Sequence, residues 1–209
     1  MQTPPSLTYD QKLKLDDLAE RLIAAEEPVT ILIDGHEPEI SEYLIKKLPN
    51  ARVVMDGGSL RASNIKLAAW TDYFVVSEHF ARDYMSYRSL STEAEIKAAL
   101  IELNKICRGE AFITLGEKGC AFLKSGMLQI VPSWLCNAVD TTGAGDVFHG
   151  AFTYGVHYSW HIDNIILFAS LTAAISIEKK GVRESMPDLA VVHHSLNSYE
   201  RNLKQYFEE

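Results

Sequence analysis

Hydrophobic residues recur along this chain first at helical and then at strand spacing, and the two rhythms alternate. Residues 9–26 (YDQKLKLDDLAERLIAAE) place Leu15, Leu18, Leu22 and Ile23 on one face of a predicted helix, which Pro28 ends. Val29–Ile33 reads as a short buried strand closed by Asp34-Gly35, and Glu37–Leu48 resumes a helical period. Arg52–Met55 predicts a second strand, ended by Asp56-Gly57-Gly58, and Tyr73–Val76 predicts a third. Helices are expected around Phe80–Tyr84 and over Thr92–Cys107. Ala111–Leu115, Gly119–Lys124 and Leu128–Val131 then follow as three strands in close succession, separated by glycine-containing turns, so part of this region is expected to be antiparallel. Two apolar helices are predicted at 146–158 and 162–178. A last amphipathic helix, 188–207, follows the breaks at Gly181 and Pro187. Strands alternating with helices predict one three-layer α/β/α domain over residues 1–209, with a mostly parallel sheet and right-handed crossovers.

Composition narrows the function classes. The 209 residues are 47% hydrophobic and 23% charged, ample apolar material for a core. Lys and Arg number 20 against 28 Asp and Glu, a net charge of −8, so no global basic field exists to hold nucleic acid or an anionic membrane. The three cysteines, Cys107, Cys120 and Cys136, are odd in number and lack CxxC spacing, which argues against a disulfide framework and for a reducing cytoplasmic compartment. Met1-Gln2-Thr3-Pro4-Pro5 has neither the basic nor the apolar stretch of a secretory signal, and no apolar run reaches membrane-spanning length.

The segment richest in chemistry is Asp140-Thr141-Thr142-Gly143-Ala144-Gly145-Asp146-Val147-Phe148-His149-Gly150-Ala151-Phe152. Small residues before an apolar helix let a ligand approach the backbone. The unpaired amides and dipole of a helix N-terminus favour an anion there. An anion hole with Asp146 at its lip suits phosphoryl transfer, the amides stabilising moving charge and the carboxylate taking a hydroxyl proton. A second reading stands beside it: a turn in which Asp146 caps the helix. No Gly-Lys-Ser/Thr of a Walker A loop is present, and no GxGxxG follows an N-terminal strand.

DTTGAGDVFHGAF resembles the second signature of the PfkB carbohydrate kinases, the ribokinase-like family. Thr114-Leu115-Gly116-Glu117-Lys118-Gly119 is similar to that family's turn beneath the nucleotide. Phe168-Ala169-Ser170-Leu171-Thr172-Ala173-Ala174, with Lys180-Gly181 and Ser185-Met186-Pro187, is similar to its nucleotide-side helix and closing loop. The resemblance implies a kinase that moves a phosphoryl group from ATP, with Mg²⁺, to a hydroxyl of a sugar or sugar-like substrate. It implies Gly143, Ala144 and Gly145 as the anion hole and Asp146 as catalytic base. It implies Thr114, Gly116, Gly119 and, more weakly, Ser170 at the nucleotide. In many members a monovalent cation such as K⁺ sits beside the anion hole; Asp140 and Thr142 match one half of that site, and Gly181 and Ser185, with backbone carbonyls near Ser176 and Lys179, the other. Gly181 is also read as a helix C-cap.

Two departures qualify the resemblance. The family's Asn-x-x-Glu motif falls on Val75-Val76-Ser77-Glu78-His79-Phe80-Ala81, with Ser77 for the Asn and Phe80 for the Glu. Glu78 then either offers a carboxylate to a water on Mg²⁺ or simply sits in a helix's first turn, favoured by the dipole. The family's early strands, its β lid and most sugar contacts have no counterpart before Met1. The substrate-side candidates that remain are Asp34, His36, Asp56, Gly57, Gly58 and Arg61, with Arg61 either near the transferred phosphate or on a solvent-facing turn. From this the 209 residues alone are expected to bind ADP or ATP weakly and to phosphorylate sugars poorly, and an uncovered sheet edge offers a route to a homo-oligomer. The rival readings are a non-catalytic nucleotide-binding relative and a nucleoside or vitamin kinase of the same fold. His157 and His161 lack a third ligand for zinc, His149 is read as a packing residue, and Trp70, Trp134 and Trp160 as core or interface aromatics.

Overall fold

The computed structural model describes residues 7–196; the C-terminal part of the predicted helix 188–207 lies outside them. The chain forms two compact units. One runs to Thr114 and includes Ala121–Gln129; the other comprises Leu115–Cys120 and the chain from Ile130 onward.

The first unit carries the sheet. Helix α1 (Tyr9–Ala24) opens with a capping box, in which Thr8 accepts from the Gln11 amide while the Gln11 side chain accepts from the Thr8 backbone. Strands β1 (Thr30–Ile33), β2 (Arg52–Gly57), β3 (Tyr73–Ser77) and β4 (Glu110–Thr114) pair in that order, all parallel. Helices α2 (Pro38–Lys47), α3 (Ala62–Ala68), α4 (Glu78–Tyr84) and α5 (Glu93–Ile106) fall between successive strands. Strands β5 (Cys120–Lys124) and β6 (Met127–Val131) complete a six-stranded sheet ordered β1 to β6. The five-residue and two-residue links before β5 and β6 are too short for a parallel crossover, so these strands turn back, as the strand spacing predicts. Val53, Val54 and Met55 of β2, Phe74, Val75 and Val76 of β3, and Ala111, Phe112 and Ile113 of β4 are almost wholly buried. Continuous apolar runs of this kind suit parallel strands covered on both faces.

The structure moves several predicted boundaries. β2 continues through Asp56 and Gly57, which pair with Val75 and Val76, so Asp56 lies within the strand instead of opening a turn. α3 had no signal in the hydrophobic pattern; seven residues give less than two turns of periodicity, and Arg61 supplies no side-chain cap. α4 starts two residues early because the Ser77 hydroxyl accepts the Phe80 amide. Of the face predicted for α1, Leu15 and Leu22 are half-buried around buried Ala19, whereas Leu18 and Ile23 are exposed. Ala19 packs with Leu48 and Ala51, and Leu22, Val29 and Ile31 pack against them, so the buried stripe follows the i, i+4, i+7 line from Leu15.

The second unit is built on two apolar helices, α6 (Ala144–His157) and α7 (Ile162–Ser176). They lie in contact: a side chain at Gly155 would meet Ile165 at 2.9 Å, and Trp160 packs edge-on against Phe168 with Tyr154 stacked beside it. Trp160 is thus a core aromatic, as expected. Helical backbone over 189–196 brings the His193 ring against Trp160 and Phe168.

Candidate active site

The DTTGAGD segment becomes a turn that enters α6 at Ala144, two residues before the start the sequence pattern predicts. Gly143 is the N-cap, at φ +76°, and no side chain caps this helix. A Cβ at Gly143 would stand 2.6 Å from Val182 Cγ1, so both the left-handed backbone and close packing call for glycine here. A Cβ at Gly145 would have no neighbour within 4 Å. Among the described residues the Ala144 amide donates to the Thr141 carbonyl at 3.2 Å, while no side chain accepts from the first turn of α6, which borders an open surface with the dipole pointing outward. Asp146 is exposed in that first turn. An uncapped N-terminus with open space at its second residue is a fitting seat for a phosphate. The alternative reading, Asp146 as N-cap, does not describe this geometry, because the cap position belongs to Gly143.

The next turn of α6 reinforces this loop. His149 is 3% exposed, and its Nδ1 lies 2.7 Å from the Gly145 carbonyl oxygen. Burial agrees with the packing role read from the sequence; the hydrogen bond was not anticipated.

Asp140, Thr142, Gly181 and Ser185 form one connected network. Asp140 Oδ1 accepts the Thr142 amide at 3.1 Å and Oδ2 accepts the Gly181 amide at 3.2 Å. The Ser185 hydroxyl in turn donates to the Gly181 carbonyl. The Thr142 hydroxyl and amide and the Gly181 amide hold the Asp140 carboxyl below its ordinary range. The Ile177 carbonyl accepts from both Val139 and Asp140, tying this strand of chain to the end of α7. Gly181 has φ +90° and lies beyond that helix. Val182 escaped the sequence reading, since an apolar side chain gives no hint that its methyl shapes a loop.

The TLGEKG segment holds a 3₁₀ turn at Gly116–Lys118, after which Gly119 turns at φ +104°. Leu115 N–H donates to Gly119 O at 2.7 Å, and Ser133 donates to the Glu117 carbonyl. Gly116 borders open space, whereas a Cβ at Gly119 would fall 2.0 Å from the Val131 carbonyl. Gly116 is therefore available to a ligand and Gly119 is demanded by packing. Ser170 is buried on α7, 7% exposed.

In the first unit, Thr114 ends β4 and its hydroxyl donates to the Val76 carbonyl at 3.3 Å. Asp56, Ser77 and Glu78 stand at the carboxyl ends of β2 and β3, the edge where parallel sheets bind ligands. The Ser77 hydroxyl donates to Gly58 O at 2.8 Å, joining the two loops. Glu78 is half-buried in the first turn of α4, and Arg61 is exposed as the N-cap of α3. Asp34 and His36 are engaged with each other, through Nδ1 at 2.8 Å and the His36 amide at 2.9 Å. Burial raises the Asp34 carboxyl, and the His36 amide and ring together outweigh it, leaving it below its ordinary range. Among the described residues no group of three or more His, Cys, Asp or Glu is placed to hold a metal, and no helix is long and apolar enough to cross a membrane.

Comparison with known proteins follows the same segments. The profile of the pfkB family carbohydrate kinases matches residues 59–189. A ribokinase from Lactococcus lactis is 29% identical over 192 residues, covering 90% of this chain and 60% of that protein. A deoxyribokinase from Salmonella typhi is 31% identical over 131 residues, 63% of this chain and 42% of that protein. Among solved structures, ribokinase from Thermotoga maritima superposes with a TM-score of 0.72 at 23% identity, over 90% of this chain and 63% of that one. An Arabidopsis thaliana ribokinase complexed with ribose and ATP gives 0.72 at 20% identity, over 91% and 60%. The fold is therefore the ribokinase-like α/β fold, and the matches cover 42% to 63% of the length of these proteins.

Proposed function

The chain belongs to the pfkB family of carbohydrate kinases, and from that premise we propose that it serves ATP-dependent phosphorylation of a sugar hydroxyl, with Asp146 as the base. The observation that carries the proposal is the uncapped, glycine-lined N-terminus of α6 with Asp146 in its first turn.

Bound MgATP supplies the phosphoryl group. The amides of Gly143, Ala144 and Gly145 hold the charge that develops on it, and Asp146 accepts the proton of the attacking hydroxyl. Gly116 faces the nucleotide side and Gly119 shapes the turn that presents it, with Thr114 and Ser170 further candidates. The Asp140, Thr142, Gly181 and Ser185 network is the proposed seat of a monovalent cation such as K⁺; its donors are carboxylate, hydroxyl and carbonyl oxygens, the hard ligands such ions take. Mg²⁺ ordinarily keeps waters and phosphate oxygens in its shell, so a single carboxylate suffices, and Glu78 is the candidate. Asp56 and Arg61 are the acceptor-side candidates. A ribokinase or deoxyribokinase identity in the relatives makes a pentose the first acceptor to test.

The test is ADP release with ATP alone and then with ribose, deoxyribose and fructose. Release stimulated by one sugar and abolished by Asp146→Asn supports the proposal. Equal sugar-dependent release from Asp146→Asn removes Asp146 as the base.

A further inference from the structure

His149 stands out among the buried titratable groups because it touches the phosphate-facing loop and the mechanism above makes no use of it. The ring is 3% exposed, and Nδ1 lies 2.7 Å from the Gly145 carbonyl oxygen one helical turn earlier. A carbonyl oxygen only accepts, so Nδ1 must carry the proton in either charge state of the ring. We propose that His149 is a positioning residue that holds the Gly145–Asp146 peptide so that its N–H, the Asp146 amide next after the three named above, also faces the transferred phosphoryl group.

The peptide unit is planar, so fixing its carbonyl also fixes the direction of the Asp146 N–H on the opposite edge. This restraint matters at this position. Gly143 and Gly145 bracket the turn, and glycine leaves the backbone the freest of all residues. No side chain caps the helix, and no atom surrounds the missing Cβ of Gly145. The His149 ring is the side chain that reaches this peptide from within α6. It also acts electronically, because an amide whose carbonyl accepts a hydrogen bond donates more strongly through its N–H. The same bond holds the backbone from which the Asp146 side chain departs. A histidine at 149 thus lends order to a loop whose glycines are needed to admit the ligand.

This inference rests on the reading of that loop as the phosphate site, and the experiment separates the two. ATP and adenosine are titrated into the 209-residue wild type and into His149→Leu and His149→Asn. The leucine keeps apolar bulk without a donor, while the asparagine carboxamide offers an N–H close to where Nδ1 stands. His149→Leu should bind ATP about tenfold more weakly, the effect of one positioned hydrogen bond. Its adenosine affinity should not change, and His149→Asn should recover most of the ATP loss. In the wild type, ¹⁵N NMR should show Nδ1 protonated. A loss of stability alone, with ATP and adenosine affected alike in His149→Leu or with no rescue by asparagine, overturns the proposal and leaves the phosphate site standing. An unprotonated Nδ1 overturns it equally. ATP binding no more tightly than adenosine in the wild type removes the phosphate site and this inference with it.

Discussion

Replacing Gly143 with alanine probes the entrance to α6 at its tightest point. Gly143 sits at φ +76°, where an L residue is strained by about 1–2 kcal/mol. The new methyl would also lie 2.6 Å from Val182 Cγ1, and overpacking of that kind costs about 1–3 kcal/mol. Val182 is half-buried on a loop and yields, which favours the lower half of the sum, about 2–3 kcal/mol. For a chain of this length that corresponds to a fall of roughly 5–10 °C in melting temperature. Thermal and urea unfolding followed by circular dichroism measure it directly. Gly145→Ala is the matched control. It has no positive φ and no neighbour within 4 Å, and replacing a helical glycine gains up to about 1 kcal/mol. That variant should fold at least as stably as the wild type, yet bind ATP less well, because its methyl occupies the open space in front of the amides. An unchanged or raised melting temperature for Gly143→Ala refutes the strain argument. Undiminished ATP affinity in Gly145→Ala refutes the assignment of that open space to the phosphate.

Three further outcomes are expected. Asp146→Asn should lower sugar-dependent ADP release by about 10²–10⁴, the usual loss on removing a positioned base, while nucleotide affinity by calorimetry stays near wild type. Asp140 has a folded pKa below its unfolded value of about 3.9, so its stabilising contribution is present above that value and is lost as pH falls through the lower, folded pKa. Wild type should therefore exceed Asp140→Asn in melting temperature at neutral pH, with the gap closing under acid; a gap independent of pH contradicts the network. All three cysteines are free, and burial raises each thiol, Cys107 to about 11 and buried Cys120 further, so labelling by a disulfide reagent at pH 8 should be slow. Cys120 should react only on adding denaturant.

How much of this was legible in the sequence depended on whether the signal was local. The buried parallel strands announced themselves as apolar runs, and β4 to β6 as short strands too closely linked for crossovers. The α6 loop was legible because its Asp-Thr-Thr-Gly-Ala-Gly-Asp run stands directly before an apolar helix and resembles a family signature. The pairing of Asp56 and Gly57 with Val75 and Val76 was not, since Asp and Gly weaken a strand in isolation and a neighbouring strand overrides them. Nor could the burial of Ser170, the Val182 contact behind Gly143 or the Ser77–Gly58 bond be read, because each depends on a partner remote in sequence. The face of α1 was misassigned for a related reason. A stripe of leucines fixes a helix, but the packing partner around Ala19, Leu48 and Ala51 decides which of them it covers.

Whether the N-terminus of α6 holds the phosphates of a nucleotide is tested most directly by calorimetric titration of the 209-residue chain with ATP, ADP, AMP and adenosine, each with Mg²⁺. Affinity should rise along the series from adenosine to ADP and ATP, since the N-terminus of α6, which no side chain caps, rewards the terminal phosphates. Equal affinity for adenosine and ATP, or an ATP affinity untouched when Gly145 is replaced by valine, would contradict the account.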